Sequence, residues 1–299
     1  MKPPVAVVVG QIARDLVLSV ATAPEAGVAA DASDRREQLG GKGANQAVGL
    51  AQLGVRPKLL AVAGDDVIGD VLIAQAQSDG IDTAAVIRRR GTLTGLIVEV
   101  LDDDGKWRYV QHLPEPVLLT EADVRGAREV IASADAVLVQ LQQPAAAAQA
   151  AAEIGRQAGA LVVLDGVPQD AHLAAADVLR ADEQEAKLLL DDDPSADKAR
   201  ALLAKGPRLL ALGVPDGNLF VWSDGHLHLP LTSETVVDTT GGGDAFTAAL
   251  TAALLRGEDY PTAARWAVSA SGATVGHPSG RPQLHTEELQ KRVRELAGG

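Results

Sequence analysis

The chain has 299 residues, 46% hydrophobic and 22% charged, which is enough apolar material for a sizeable core and too much for disorder. A formal net charge of −13 excludes a protein built to hold nucleic acid by neutralising phosphates, and a general binder of anionic membranes. The absence of cysteine excludes disulfide frameworks, thiolate catalysis and Cys-ligated zinc or iron–sulfur centres.

Short apolar runs alternate with Ala-rich stretches along the chain. Residues 5–9 read as a buried strand, too brief to span a membrane and broken by the polar segment from Gln11 to Asp15. With the acidic charge, this predicts a soluble, cytoplasmic protein. Residues 16–20 read as a further strand, and 59–63, 136–139, 161–164 and 209–212 as strands covered on both faces. Helices are expected at 44–53, 68–78, 145–158 and 245–256, each stopped by a nearby glycine: Gly54, Gly80, Gly159 and Gly257. Two hairpins interrupt the alternation: 96–100 with 107–111 around Asp104-Gly105, and 219–222 with 226–229 around Asp224-Gly225. The pattern implies an α/β fold with a mostly parallel sheet and a small β-sheet flap. Asp191-Asp192-Asp193-Pro194 reads as a solvated loop, and His226 and His228 as one face of a solvent-facing strand.

Two glycine-rich segments carry the chemistry. Asp238-Thr239-Thr240-Gly241-Gly242-Gly243-Asp244 runs straight into an apolar helix. Bare backbone amides at the positive end of a helix dipole suit an anion, above all phosphate. An aspartate there would repel phosphate as a ligand, but it suits a base that takes the proton from an attacking hydroxyl. A plain turn capped by Asp244 meets the local pattern equally well. Gly40-Gly41-Lys42-Gly43-Ala44-Asn45-Gln46 also opens a helix. It lacks the spacing of a Walker loop, and the first strand is not followed by a dinucleotide fingerprint. An ammonium and a carboxamide within one helical turn suit a polyhydroxyl ligand, and a tight turn with an exposed lysine is the plainer alternative.

Taken together, the two segments resemble the signatures of the ribokinase (PfkB-type) carbohydrate kinase family, G-G-K-G-A-N-Q at 40–46 and D-T-T-G-A-G-D at 238–244, with Gly242 in place of Ala. Gly64-Asp65-Asp66, Gln140-Leu141 and Leu212-Gly213 extend the likeness over nearly the whole chain. The resemblance implies a single ribokinase-like domain over 1–299, a three-layer α/β sandwich with a lid formed by roughly 11–40 and 92–114. It implies an ATP-dependent kinase for a primary hydroxyl of a pentose-like sugar, a homodimer built through the lid, Mg²⁺ as cofactor and K⁺ as a candidate activator. Asp244 would be the general base and Gly241, Gly242 and Gly243 the anion hole. Asp15, Gly41, Lys42, Asn45 and Gln142 would bind sugar. Asp182, Glu185, Gly213, Gly217 and Val268 would serve the nucleotide, with Glu185 holding Mg²⁺ through water. Asp238 and Thr240, with carbonyls of Val275, Pro278 and Gly280, correspond to the family's monovalent-cation site.

The departures bear on specificity. Where the family's ribokinases have Asn, this chain has Ala13; where they have Glu after Gln-Leu, it has Gln142; the Asn of N-x-x-E is Asp182; and Ala211 replaces a common Thr. Losing hydrogen-bonding partners shifts sugar specificity strongly. The expectation is therefore a pentose-like substrate rather than ribose in particular. A nucleoside kinase of the same family and a catalytically silent sugar sensor are the alternatives.

Overall fold

The computed structural model describes residues 2–193, 195–231, 236–277 and 280–298. In chain order, the first elements are β1 (Val5–Val9), β2 (Ala13–Val20), β3 (Ala32–Gly40), α1 (Lys42–Gln52), β4 (Arg56–Leu60), β5 (Val62–Gly64), α2 (Val67–Ser78), β6 (Ile87–Arg89), β7 (Gly95–Asp102) and β8 (Trp107–His112). There follow α3 (Glu121–Gly126), α4 (Arg128–Ala132), β9 (Ala136–Gln140), α5 (Ala145–Gln157), β10 (Leu161–Asp165), α6 (Asp170–Leu173), β11 (Val178–Ala181), α7 (Glu183–Leu190) and α8 (Ala196–Leu203). The chain closes with β12 (Leu209–Val214), β13 (Gly217–Trp222), β14 (Gly225–Pro230), α9 (Gly242–Leu255), α10 (Tyr260–Val275) and α11 (Thr286–Gly298).

The large sheet has the order β14-β13-β12-β11-β10-β9-β1-β4. It is parallel from β12 to β4, and the β13–β14 hairpin adds an antiparallel edge. Successive strand residues point to opposite faces. Ala6 and Val8 thus join one apolar cluster, with residues of α1, α2, α9 and α10, while Val7 and Val9 join the other, with α3, α4, α5, α7 and α8. This makes three layers. The chain has only 2% aromatic residues, so the layers are filled by Ala, Val and Leu. Small side chains let helices approach closely: a Cβ on Gly49 of α1 would lie 2.8 Å from the Ala248 methyl of α9. Helix α9 is buried almost all round, as its run of Ala and Leu demands.

A second sheet, ordered β3-β2-β7-β8, stands over one end of the first. Its base is fastened by Asp66, the N-cap of α2. The Asp66 carboxylate accepts from Gly69 N–H at 2.8 Å, Thr94 N–H at 2.9 Å and Thr94 Oγ1 at 2.6 Å, just before β7 begins.

One expectation needs correction. The apolar run at 59–63 is not one strand. β4 ends at Leu60 beside β1, and β5 turns away to pair with β6. The expected hairpin at 219–222 and 226–229 is present as β13 and β14. It extends the large sheet, with Phe220 stacked on Phe246 of α9 at 5.7 Å.

Candidate active site

A cavity of about 380 Å³ opens between the two sheets. Helix α1 supplies Lys42 and Asn45, the turn before α9 supplies Thr240 and Gly241, and Gly243 and Asp244 lie in the first turn of α9. Asp15 comes from β2 and Asp182 from the N-cap of α7. Two segments 199 residues apart thus share one cleft, where Asn45 Nδ2 donates to Asp244 Oδ2 at 3.3 Å.

Local geometry explains the glycines. Gly241, at φ +72°, cannot carry a side chain, since a Cβ would lie 2.1 Å from the Gly280 carbonyl oxygen. Gly43 rests on the backbone of Gln11, with a virtual Cβ only 2.7 Å from Gln11 N. Ala44 N–H donates to Gln11 O at 3.0 Å, fixing the start of α1 against the segment that leads into β2. Helix α9 has no side-chain cap, and its first intrahelical bond runs from Ala245 N–H to Gly241 O. The amides of Gly242, Gly243 and Asp244 therefore remain for an anion. The Arg180 guanidinium lies against Gly243 and pairs with Asp165 at 2.9 Å.

Asp244 is 5% exposed, and both of its oxygens are held: Oδ2 by Asn45 and Oδ1 by Gln46 Nε2 at 3.3 Å. Gln46 also donates to Asp165 Oδ2 at 2.7 Å. Burial, against the pull of Lys42, raises the Asp244 pKa to about 7, and the charge of Asp165 adds to the rise. Asp15 is raised further, to about 8, by burial and then by the charges of Glu99 and Asp244. Its Oδ1 is buried without a partner among the described residues.

Not every expected site residue lines the cavity. Gln142 is exposed and does not line the cavity, and Ala13 is buried within β2. Asp182 and Glu185 form the capping box of α7, each side chain accepting the other's backbone N–H at 2.9 and 2.8 Å. Burial raises the Glu185 pKa. Gly213 packs against the N-terminus of α7, Gly217 against the β14 backbone, and Val268 sits in the apolar core on α10. Asp238 Oδ2 is buried and unpartnered among the described residues, an open acceptor suited to a cation. The Val275 carbonyl, by contrast, already accepts from Val237 N–H at 2.9 Å and Asp238 N–H at 3.2 Å. Pro278 lies outside the described residues.

Residues 5–287 match the pfkB family carbohydrate kinase domain. The chain belongs to the pfkB family of carbohydrate kinases. This kinase is 28% identical over 291 residues to a ribokinase of Haemophilus influenzae, covering 94% of this chain and 95% of that protein. It is 26% identical over 290 residues to a deoxyribokinase of Salmonella typhi, covering 91% and 95%. The solved structure of Arabidopsis thaliana ribokinase complexed with ribose and ATP superposes on it with a TM-score of 0.80 at 25% identity, covering 98% of this chain and 99% of that one.

Several cavity residues of the kinase carry no motif. Ile97 and Glu99 of β7, Trp107 and Tyr109 of β8, and Arg180 of β11 all line the cleft. The alternation of β7 and β8 would have put odd-numbered residues on one face, but nothing in the sequence says which face meets the sugar.

Proposed function

We propose that this ATP-dependent sugar kinase transfers a phosphoryl group to the primary hydroxyl of a pentose-like sugar, with Asp244 as general base. The observation that carries the reading is the placement of Asp244. A buried carboxylate with a pKa of about 7 sits in the same cleft as Lys42 and Asn45 and beside three helix amides without a partner among the described residues. Asp15, Lys42, Asn45 and the backbone at Gly41 supply donors and acceptors for sugar hydroxyls. Asp244 takes the hydroxyl proton as the oxygen forms its bond to phosphorus. The phosphorus–oxygen bond to ADP breaks, and the amides of Gly242, Gly243 and Asp244, with Arg180, stabilise charge on the transferred group. Free-sugar relatives support a pentose, since a ribokinase and a deoxyribokinase both align over nearly the whole kinase.

Magnesium suits the carboxylates of Asp182 and Glu185, which stand near Arg180 and are few enough that nucleotide phosphates complete the shell. When bound it neutralises phosphate charge. Asp238 Oδ2 suits K⁺, together with Thr240 and the Gly280 backbone, whereas Val275 is spent on its amides. The exposed lid strand β8 supports the reading of a homodimer formed through the lid.

A coupled ADP-release assay across pentoses, 2-deoxypentoses, hexoses and nucleosides, with and without K⁺, tests this reading. Pentoses or 2-deoxypentoses are expected to give the highest kcat/KM. Nucleosides turning over faster would favour the nucleoside alternative, for which the Trp107–Tyr109 pair at the cavity wall offers aromatic surface. No turnover of any sugar would overturn the proposal.

A further inference from the structure

The lid carries a carboxylate that no motif announces. In β7 the buried positions Gly95, Ile97 and Glu99 alternate with more exposed ones, so the three share the face turned toward the cavity. Ile97 is the residue type such a face normally carries. Glu99, only 4% exposed, is not. A buried carboxylate can accept about four hydrogen bonds. Among the described residues Glu99 receives one donor, the Thr240 hydroxyl, which lies 3.2 Å from Oε1 and 3.4 Å from Oε2. Glu99 lines a cleft that also holds Asp15, Asp182 and Asp244 against the cations Lys42 and Arg180, and the charge of Arg36 reaches it as well. Arg180 gives one hydrogen bond to Asp165, at 2.9 Å.

Two consequences follow from charge and geometry. Acceptors without donors in a closed pocket favour a ligand that brings its own donors. A pocket with more carboxylates than cations disfavours a ligand that brings another anion, because each carboxylate that is ionised repels it away from water. We propose that Glu99 is a specificity-determining residue: it accepts a hydrogen bond from the substrate beneath the lid, and it bars sugars that carry a carboxylate or phosphate at that end. The proposal rests on the sugar-kinase reading and names the class of substrate the site accepts: neutral or amine-bearing polyols, not sugar acids or sugar phosphates. Burial and the neighbouring charge of Asp238 raise the Glu99 pKa, against the Thr240 hydrogen bond and the charge of Arg36, which lower it.

The competing role is a mechanical latch, in which Glu99 only ties the lid to the turn at Thr240. Glu99→Gln separates the two. It keeps the size of the side chain and an oxygen for the Thr240 hydroxyl, but removes the charge. The experiment compares kcat/KM for the best pentose, the pentonate of equal length and the pentose 1-phosphate, in wild type, Glu99→Gln and Glu99→Leu. Direct binding is followed in parallel by the fluorescence of Trp107, the tryptophan that lines the cavity. Wild type is expected to bind the two anions poorly. Glu99→Gln is expected to shift the anion-to-pentose ratio upward by about tenfold or more, with Glu99→Leu shifting it further and losing pentose affinity. A ratio within twofold of wild type in Glu99→Gln, while the pentose is still phosphorylated, overturns the proposal and leaves the latch. Wild type accepting the pentonate as well as the pentose also overturns it. A wild type that phosphorylates no sugar fails the sugar-kinase reading itself, and this proposal with it.

Discussion

An aspartate in water ionises near pH 4. Asp244 does so at about 7, because burial penalises its charge more than Lys42, Asn45 and Arg180 favour it. A base with that pKa is half ionised at neutral pH and remains strong enough to take a hydroxyl proton during transfer. The sign of the pH dependence follows. Only the ionised form works as a base, so kcat/KM should rise with pH up to about 7 and level off above it. Lys42 holds the value down, so Lys42→Ala should move the acid limb to higher pH as well as raise the sugar KM. An acid limb that stays fixed in steady-state profiles of the variant would detach Lys42 from the base. Asp244→Asn should fold normally and bind ATP, with turnover lower by a hundredfold or more. Near-normal turnover would remove Asp244 from the mechanism.

At the scale of elements, the site depends on how α1 is seated. The helix begins at Lys42, and its first residues touch the Gln11 backbone through Gly43 with no room for a methyl group. This seat aims Asn45 and Gln46 at Asp244. Gly43→Ala should therefore shift the start of α1, cost about 1–3 kcal/mol of stability, and raise the sugar KM with kcat lowered as well. Thermal melts with steady-state kinetics check this, and unchanged melting and KM would show the seat to be slack. Both helix starts were legible in sequence, because a glycine cluster running into an apolar helix has few structural solutions. β3 was not legible: its residues Ser33 to Glu37 are charged or polar and mostly exposed, with no apolar alternation to mark them. β11 escaped because its four residues include Arg180 and are too few to show a period. Gln46 stood inside the quoted motif, but its hold on Asp165 and Asp244 spans 119 and 198 residues and has no local trace.

At the scale of the molecule, the two larger sheets have different prospects. The large one is covered by helices on both faces, whereas β8 is an exposed edge with Val110 70% accessible. Such an edge invites pairing unless another chain covers it. In the lid dimer proposed here, Val110 alternates away from the cavity face that carries Trp107 and Tyr109. Val110→Asp should convert the dimer to a monomer in sedimentation velocity and weaken sugar binding through a loosened lid. A wild type that sediments as a monomer at all concentrations would remove the dimer.

By itself the sequence determined the layered α/β plan, because strands covered on both faces must be continuously apolar and helices ending at glycine must alternate with them. It also determined which two turns hold the chemistry, because close backbone approach and free amides require glycine whatever the rest of the chain does. Only the tertiary structure decided what the cavity wall is made of. Glu99, Trp107, Tyr109 and Arg180 meet the motifs across long sequence separations. A charge on a strand is read as solvent-facing until a second sheet is folded over it. Burial, which turns Asp15 and Asp244 from ordinary carboxylates into groups titrating near neutrality, likewise belongs to the closed fold and to no segment of it.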